Sequence, residues 1–144
     1  MTARAGRTGA ALSVAGLVAM STLVAAPAAH AGGYGCTGNL SWSGKVTDYG
    51  GNEAGWVYDY WNGSQNCSVV VKTEFAGIRS ETQISIVNNR GVHGGFDHGG
   101  FTTYAGPVSV DGVDACVNEH VTMFNLDNQQ IVNWSSGWHS GPGC

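Results

Sequence analysis

Gly55-Trp56-Val57-Tyr58-Asp59-Tyr60-Trp61 is followed by Asn62-Gly63-Ser64-Gln65-Asn66 and then by Cys67-Ser68-Val69-Val70-Val71-Lys72-Thr73-Glu74-Phe75. In the first run Trp56, Tyr58 and Tyr60 share one face, and Val57, Asp59 and Trp61 share the other. In the second, Cys67, Val69, Val71, Thr73 and Phe75 oppose Ser68, Val70, Lys72 and Glu74. A period of two is that of a pleated strand, and Asn-Gly-Ser between two such runs supplies a turn, so the stretch reads as a β-hairpin. Its aromatic face, Trp56 with Tyr58 and Tyr60, is the one expected to be buried.

The same alternation recurs outward from this hairpin, and no segment after it carries a useful length of helical periodicity. Thr82 to Asn88 reads as a third strand, closed by Asn88-Asn89-Arg90-Gly91, residue types suited to a tight turn with positive φ. Phe101 to Tyr104 and Val108 to Val110 read as short strands flanking Gly106-Pro107. Ala115 to Phe124 is a longer strand, and Gln130 to Trp134 an edge strand. Six to eight short strands separated by turn residues predict an all-β fold, a single small β-sandwich or Greek-key barrel-like domain.

Toward the N-terminus the character changes. Arg4 and Arg7 precede an apolar run from Ala10 to Val24, and then Ala25-Ala26-Pro27-Ala28-Ala29-His30-Ala31. A cationic start, an apolar stretch shorter than the roughly 20 residues that span a bilayer, and a small-x-small end describe a secretory signal cut after Ala31. The expected division is residues 1–31 as signal and 32–144 as one domain. Beyond the cut, four cations face ten carboxylates, a formal charge of −6. With no basic stripe, nucleic acid and an anionic membrane surface are both disfavoured as partners.

All four cysteines, Cys36, Cys67, Cys116 and Cys144, follow the cut. In an exported chain an even count predicts two disulfides. Pairing the termini, Cys36 with Cys144, and pairing in sequence, Cys36 with Cys67 and Cys116 with Cys144, both fit the spacing.

Tyr60 through Val71, the octapeptide Phe101-Thr102-Thr103-Tyr104-Ala105-Gly106-Pro107-Val108 and the following Cys116-Val117 resemble the spore-associated protein family, small secreted proteins of streptomycetes and related actinomycetes. The resemblance implies a place at the outside of the cell or spore and carries over no catalytic residue. The chain departs from the family's pattern at Asn118-Glu119-His120 and in its aromatic tail, Trp134 to Cys144.

Few constellations suggest chemistry. His93-Gly94-Gly95-Phe96 and His98-Gly99-Gly100-Phe101 repeat around Asp97, and His93, Asp97 and His98 are the candidate metal ligands. The competing reading is an exposed glycine-rich loop, which needs no metal. His120 and His139 accompany many serines, but no Gly-x-Ser-x-Gly elbow is present. Asp59, Glu74 and Glu119 lie on expected strands, where outward-facing solubilising charges are the ordinary explanation. No catalytic residue and no cofactor is assigned. Trp134 and Trp138, amid Ser, Gly and Asn, are the candidate surface-binding aromatics. Four Asn-x-Ser sequons, at Asn39, Asn62, Asn66 and Asn133, are expected on an Asn- and Ser-rich surface. The functional expectation is a secreted, non-enzymatic β-domain contacting cell-wall or spore-surface polysaccharide or protein. The alternative is a binding effector, a carbohydrate-binding module or a hydrolase inhibitor using the Gly91-to-Tyr104 segment as its contact loop.

Overall fold

A computed structural model describes residues 32–144. The expected signal, residues 1–31, lies outside the described residues. Eight strands follow in order: β1 (Asn39–Thr47), β2 (Glu53–Trp61), β3 (Gln65–Lys72), β4 (Ser80–Asn88), β5 (His93–Phe101), β6 (Tyr104–Asp111), β7 (Val117–Phe124) and β8 (Gln130–Ser135). The protein is all-β, and among the described residues there is no helix.

Two antiparallel four-stranded sheets form, one in the order β1-β2-β3-β6 and the other β5-β4-β7-β8. β6 returns to pair with β3 and β7 returns to pair with β4, each beside the strand three places earlier, a Greek-key return across the two sheets. Local chemistry fixes the turns. Asn62 Oδ1 accepts hydrogen bonds from the backbone N–H groups of Ser64 and Gln65, closing the β2–β3 hairpin. Asn88 Oδ1 does the same for Arg90 and Val92, and Gly91 takes the positive φ of 79° that the turn requires.

Between the sheets lies a core of Val46, Val57, Val70, Ile84, Ile86, Val108, Val110, Val117, Val121, Met123 and Val132 with Ala54 and Ala105. Most of these side chains are β-branched, and they stand where strand alternation points inward. The inward face of β2 is thus Val57 and Asp59, and the expectation that Trp56 and Tyr58 form the core between the sheets is overturned. Trp56 and Tyr58 are half-buried on the outward face, and Tyr60 is buried there beneath a second cluster with Cys36, Cys67 and Val69. The reason is the covering segment: residues before β1 fold back across the outer face of the first sheet and shelter it.

The cysteines pair in sequence, Cys36 with Cys67 and Cys116 with Cys144. Each bond ties a segment outside the strands to the sandwich, the first holding the N-terminal cover on β3 and the second holding the C-terminal tail near the start of β7. Such staples fit folding in an oxidising compartment.

The segment from Gly91 to Tyr104 is no loop. It is mostly strand β5, whose Gly94 and Gly95 press against β6 of the opposite sheet. A Cβ on Gly94 would stand 2.7 Å from Val110 Cβ, and one on Gly95 would stand 2.9 Å from Val108 Cβ. The glycines of the repeat are there so that two sheets can meet closely at this side of the sandwich.

Candidate ligand-binding face

The interior holds an unexpected polar ring. Asp59, Asn66, Ser68 and Glu119 are all 0 % exposed and His139 is buried. Ser68 Oγ lies 3.1 Å from Asp59 Oδ1 and 2.6 Å from Glu119 Oε1. Glu119 Oε2 lies 2.6 Å from His139 Nε2, and His139 Nδ1 lies 2.6 Å from Ser140 Oγ. Ser140 Oγ closes the circuit at 2.8 Å from Asp59 Oδ2, which also accepts from Ser41 and from Asn66. The ring of Trp42 stacks on His139 with centroids 3.9 Å apart. Asp59 and Glu119 are therefore inward-facing, and their reading as outward solubilising charges is corrected. The sequon asparagine Asn66 is likewise interior.

Five contacts complete this ring, and each needs one hydrogen. With both carboxylates ionised, even a doubly protonated imidazole and the two serine hydroxyls supply four. The fifth contact needs a proton on a carboxyl group. Burial, and then the neighbouring Glu119 charge, push the Asp59 carboxyl above its ordinary range, which assigns that proton to Asp59. The circuit joins β2 and β3 to β7 and to the C-terminal tail.

The outward face of the first sheet is built differently. Pairing register aligns Lys45 of β1 with Trp56 of β2, Trp56 with Val71 of β3, and Val71 with Tyr104 of β6. One cross-strand row thus runs Lys45, Trp56, Val71, Tyr104, roughly 14 Å across three interstrand steps. Beside it, Tyr58 pairs with Ser43 and Val69. Tyr34 lies over the junction. Its ring stacks near-parallel to Tyr58 at 6.2 Å and tilts against Tyr104 at 5.2 Å, and it is 41 % exposed.

Tyr34 holds this place at φ 56°, a left-handed conformation that a bulky residue rarely adopts and that costs about 1–3 kcal/mol. The backbone bond from Cys36 N–H to the Gly33 carbonyl and the Cys36–Cys67 disulfide impose it. Beneath the same segment, burial and then the neighbouring Tyr34 and Tyr58 raise the Tyr60 hydroxyl pKa.

At the Tyr104 end the row opens into a pocket of about 330 Å³ lined by Arg79, Gly100, Thr102, Thr103 and Tyr104. Gly100 leaves room for the Arg79 stem, since a Cβ there would lie 2.6 Å from Arg79 Nε. The segment from Phe101 to Val108 forms the turn into β6 and the first part of that strand, and it supplies one wall of this pocket.

The other sequence candidates are scattered. His93 and His98 are exposed on β5, while Asp97 points to the other side and accepts the Gly106 backbone N–H at 2.7 Å. His98 instead stacks on exposed Phe96, with centroids 5.0 Å apart. The three are not brought together, and among the described residues no group of three or more His, Cys, Asp or Glu side chains is placed to hold a metal. Trp134 packs on the core margin, 6.4 Å from Trp42, whereas Trp138 is half exposed.

Lys45 and Tyr34 escaped notice in the sequence because their role depends on register and on a folded-back segment. Alternation in β2 was the one signal that could have found the row, had its aromatic side been assigned outward.

No family model, no curated protein and no solved structure matches this chain.

Proposed function

We propose that the protein is a secreted, non-enzymatic binding domain that adheres to polysaccharide at the cell or spore surface through the outward aromatic face of its first sheet. The observation that carries this reading is the row Trp56, Val71, Tyr104 with Tyr34 tilted against Tyr104: part-exposed rings positioned by strand register and a disulfide. Aromatic faces of this kind meet the C–H faces of sugar rings with little entropy to lose on binding. Burial of Asp59 and Glu119 in a closed network supports the non-enzymatic part, since neither carboxyl is offered to a substrate. The resemblance of Phe101-to-Val108 to spore-associated proteins supports the location, and that octapeptide contributes Tyr104 to the face.

Retention on insoluble cell-wall polysaccharide tests the reading. The Tyr34→Ala, Tyr104→Ala double variant should lose most of its retention, and Trp138→Ala should keep it. Equal retention of both variants would sink the proposal.

A further inference from the structure

Charge on this face runs opposite to that of the whole chain. Against ten carboxylates the described residues carry four lysines and arginines. Lys72 is buried and Arg90 is paired with Asp111 at 2.6 Å. The other two, Lys45 and Arg79, are exposed and form no ion pair among the described residues. Lys45 begins the cross-strand row, and Arg79 borders the pocket at its other end. No carboxylate occupies the row Lys45, Trp56, Val71, Tyr104, the row Ser43, Tyr58, Val69, or the row Leu40, Tyr60, Cys67, Ser109; beyond Lys45 an acid follows, Glu53, paired with Thr47.

We infer that the ligand of this face is an acidic polysaccharide, one whose sugar rings lie on Trp56 and Tyr104 while its carboxylate or phosphate groups meet Lys45 and Arg79. The inference rests on the binding-face reading above and names the ligand class. A planar guanidinium beside the Thr102 and Thr103 hydroxyls suits an oxyanion, and the pocket has room for one charged substituent at the end of the row. The chain's net negative charge does not forbid a polyanion. At physiological salt, fields fade over about 8 Å, so the two local cations govern a ligand lying along them. Gly100 belongs to the same device, because its missing side chain lets Arg79 lie over the end of β5.

The test measures affinity of the oxidised protein for three soluble probes: polygalacturonate, a phosphate-bearing mannan and a neutral glucan. The acidic probes should bind more tightly than the neutral one, with an affinity that falls as salt rises. Lys45→Gln and Arg79→Gln should each weaken acidic binding roughly tenfold, the scale of one charged hydrogen bond. Arg79→Lys should recover part of the loss. Preference for polygalacturonate or for the mannan identifies the anion as carboxylate or phosphate, and either supports the inference. Both positions are exposed, so folding of the variants is not at risk; an unchanged melting temperature verifies this. Equal binding of acidic and neutral probes, or acidic binding indifferent to both charge variants, overturns the inference and leaves the aromatic face standing. Failure of every probe to bind overturns the face itself.

Discussion

Asp59 is the residue on which the interior ring turns, and its protonation sets a sign that experiment can read. Its folded pKa is raised by burial and by Glu119, so the folded protein holds a proton that the unfolded chain releases. The stability owed to Asp59 is greatest below the ordinary carboxylate pKa, and it falls as pH rises through the raised value. Asn at this position imitates the protonated acid: its amide N–H replaces the carboxyl proton toward Ser68, while its oxygen still accepts from Ser41, Asn66 and Ser140. Asp59→Asn should therefore flatten the decline of stability as pH rises above the ordinary carboxylate pKa of about 4, measured by urea unfolding at several pH values. Asp59→Ala should cost about 2–4 kcal/mol where Asp59 is protonated, because it orphans several buried donors, and the cost should shrink as pH rises. A wild-type-like slope in the Asn variant would remove Asp59 as the proton's site.

Among the elements, β5 separates what a sequence states from what only a partner strand imposes. Six of its nine residues are Gly or His, a composition without strand propensity, so the Gly91-to-Tyr104 segment read as a loop. It is a strand because β4 supplies a ladder from Ser80 to Val87 and because β6 leaves room only for glycine. The β2–β3 hairpin and the Asn88 turn were legible, since alternation and turn chemistry are local. Which face of β2 is buried was not legible, because covering by the N-terminal segment is a tertiary fact. The candidate face was not legible: the aromatics singled out in the sequence were Trp134 and Trp138, whereas the alignment of Lys45, Trp56 and Tyr104 follows from register across four strands. Gly94→Ala should destabilise by about 1–3 kcal/mol through overpacking against Ser109 and Val110, while His93→Ala and His98→Ala should stay within about 0.5 kcal/mol. Thermal melts of the three variants check this. Stabilisation of the wild type by added Zn²⁺, lost in both histidine variants, would restore the metal reading.

Across the whole molecule, the interior is apolar at its middle and polar at both ends, with acids at one and a base at the other. Asp59 and Glu119 close one end. Lys72, four residues beyond Ser68 along β3 and hence roughly 13 Å away, closes the other. Lys72 Nζ donates to the Ile78 carbonyl at 3.0 Å, the Phe101 carbonyl at 2.8 Å and Ser80 Oγ at 2.7 Å, three neutral acceptors and no carboxylate. These bonds tie the β3–β4 connection and the end of β5 to β3, immediately behind the pocket that holds Arg79. Burial lowers the Lys72 pKa, so the folded protein releases this proton at a lower pH than the unfolded chain does. The charged form is therefore a burden on the folded state below the folded pKa, and that burden lifts as pH rises toward the unfolded value of about 10.4. Lys72→Met keeps the stem and removes the ammonium. It should lose about 2 kcal/mol at pH 7, where two backbone carbonyls are left without their donor. The gap between wild type and variant should then widen as pH is raised from 7 to about 10.5, because wild type alone sheds the burden of the buried charge. Urea unfolding of both proteins across that range gives the gap directly. A constant gap would mean that Lys72 titrates in the folded protein as it does in the open chain, and that solvent reaches this end of the sandwich.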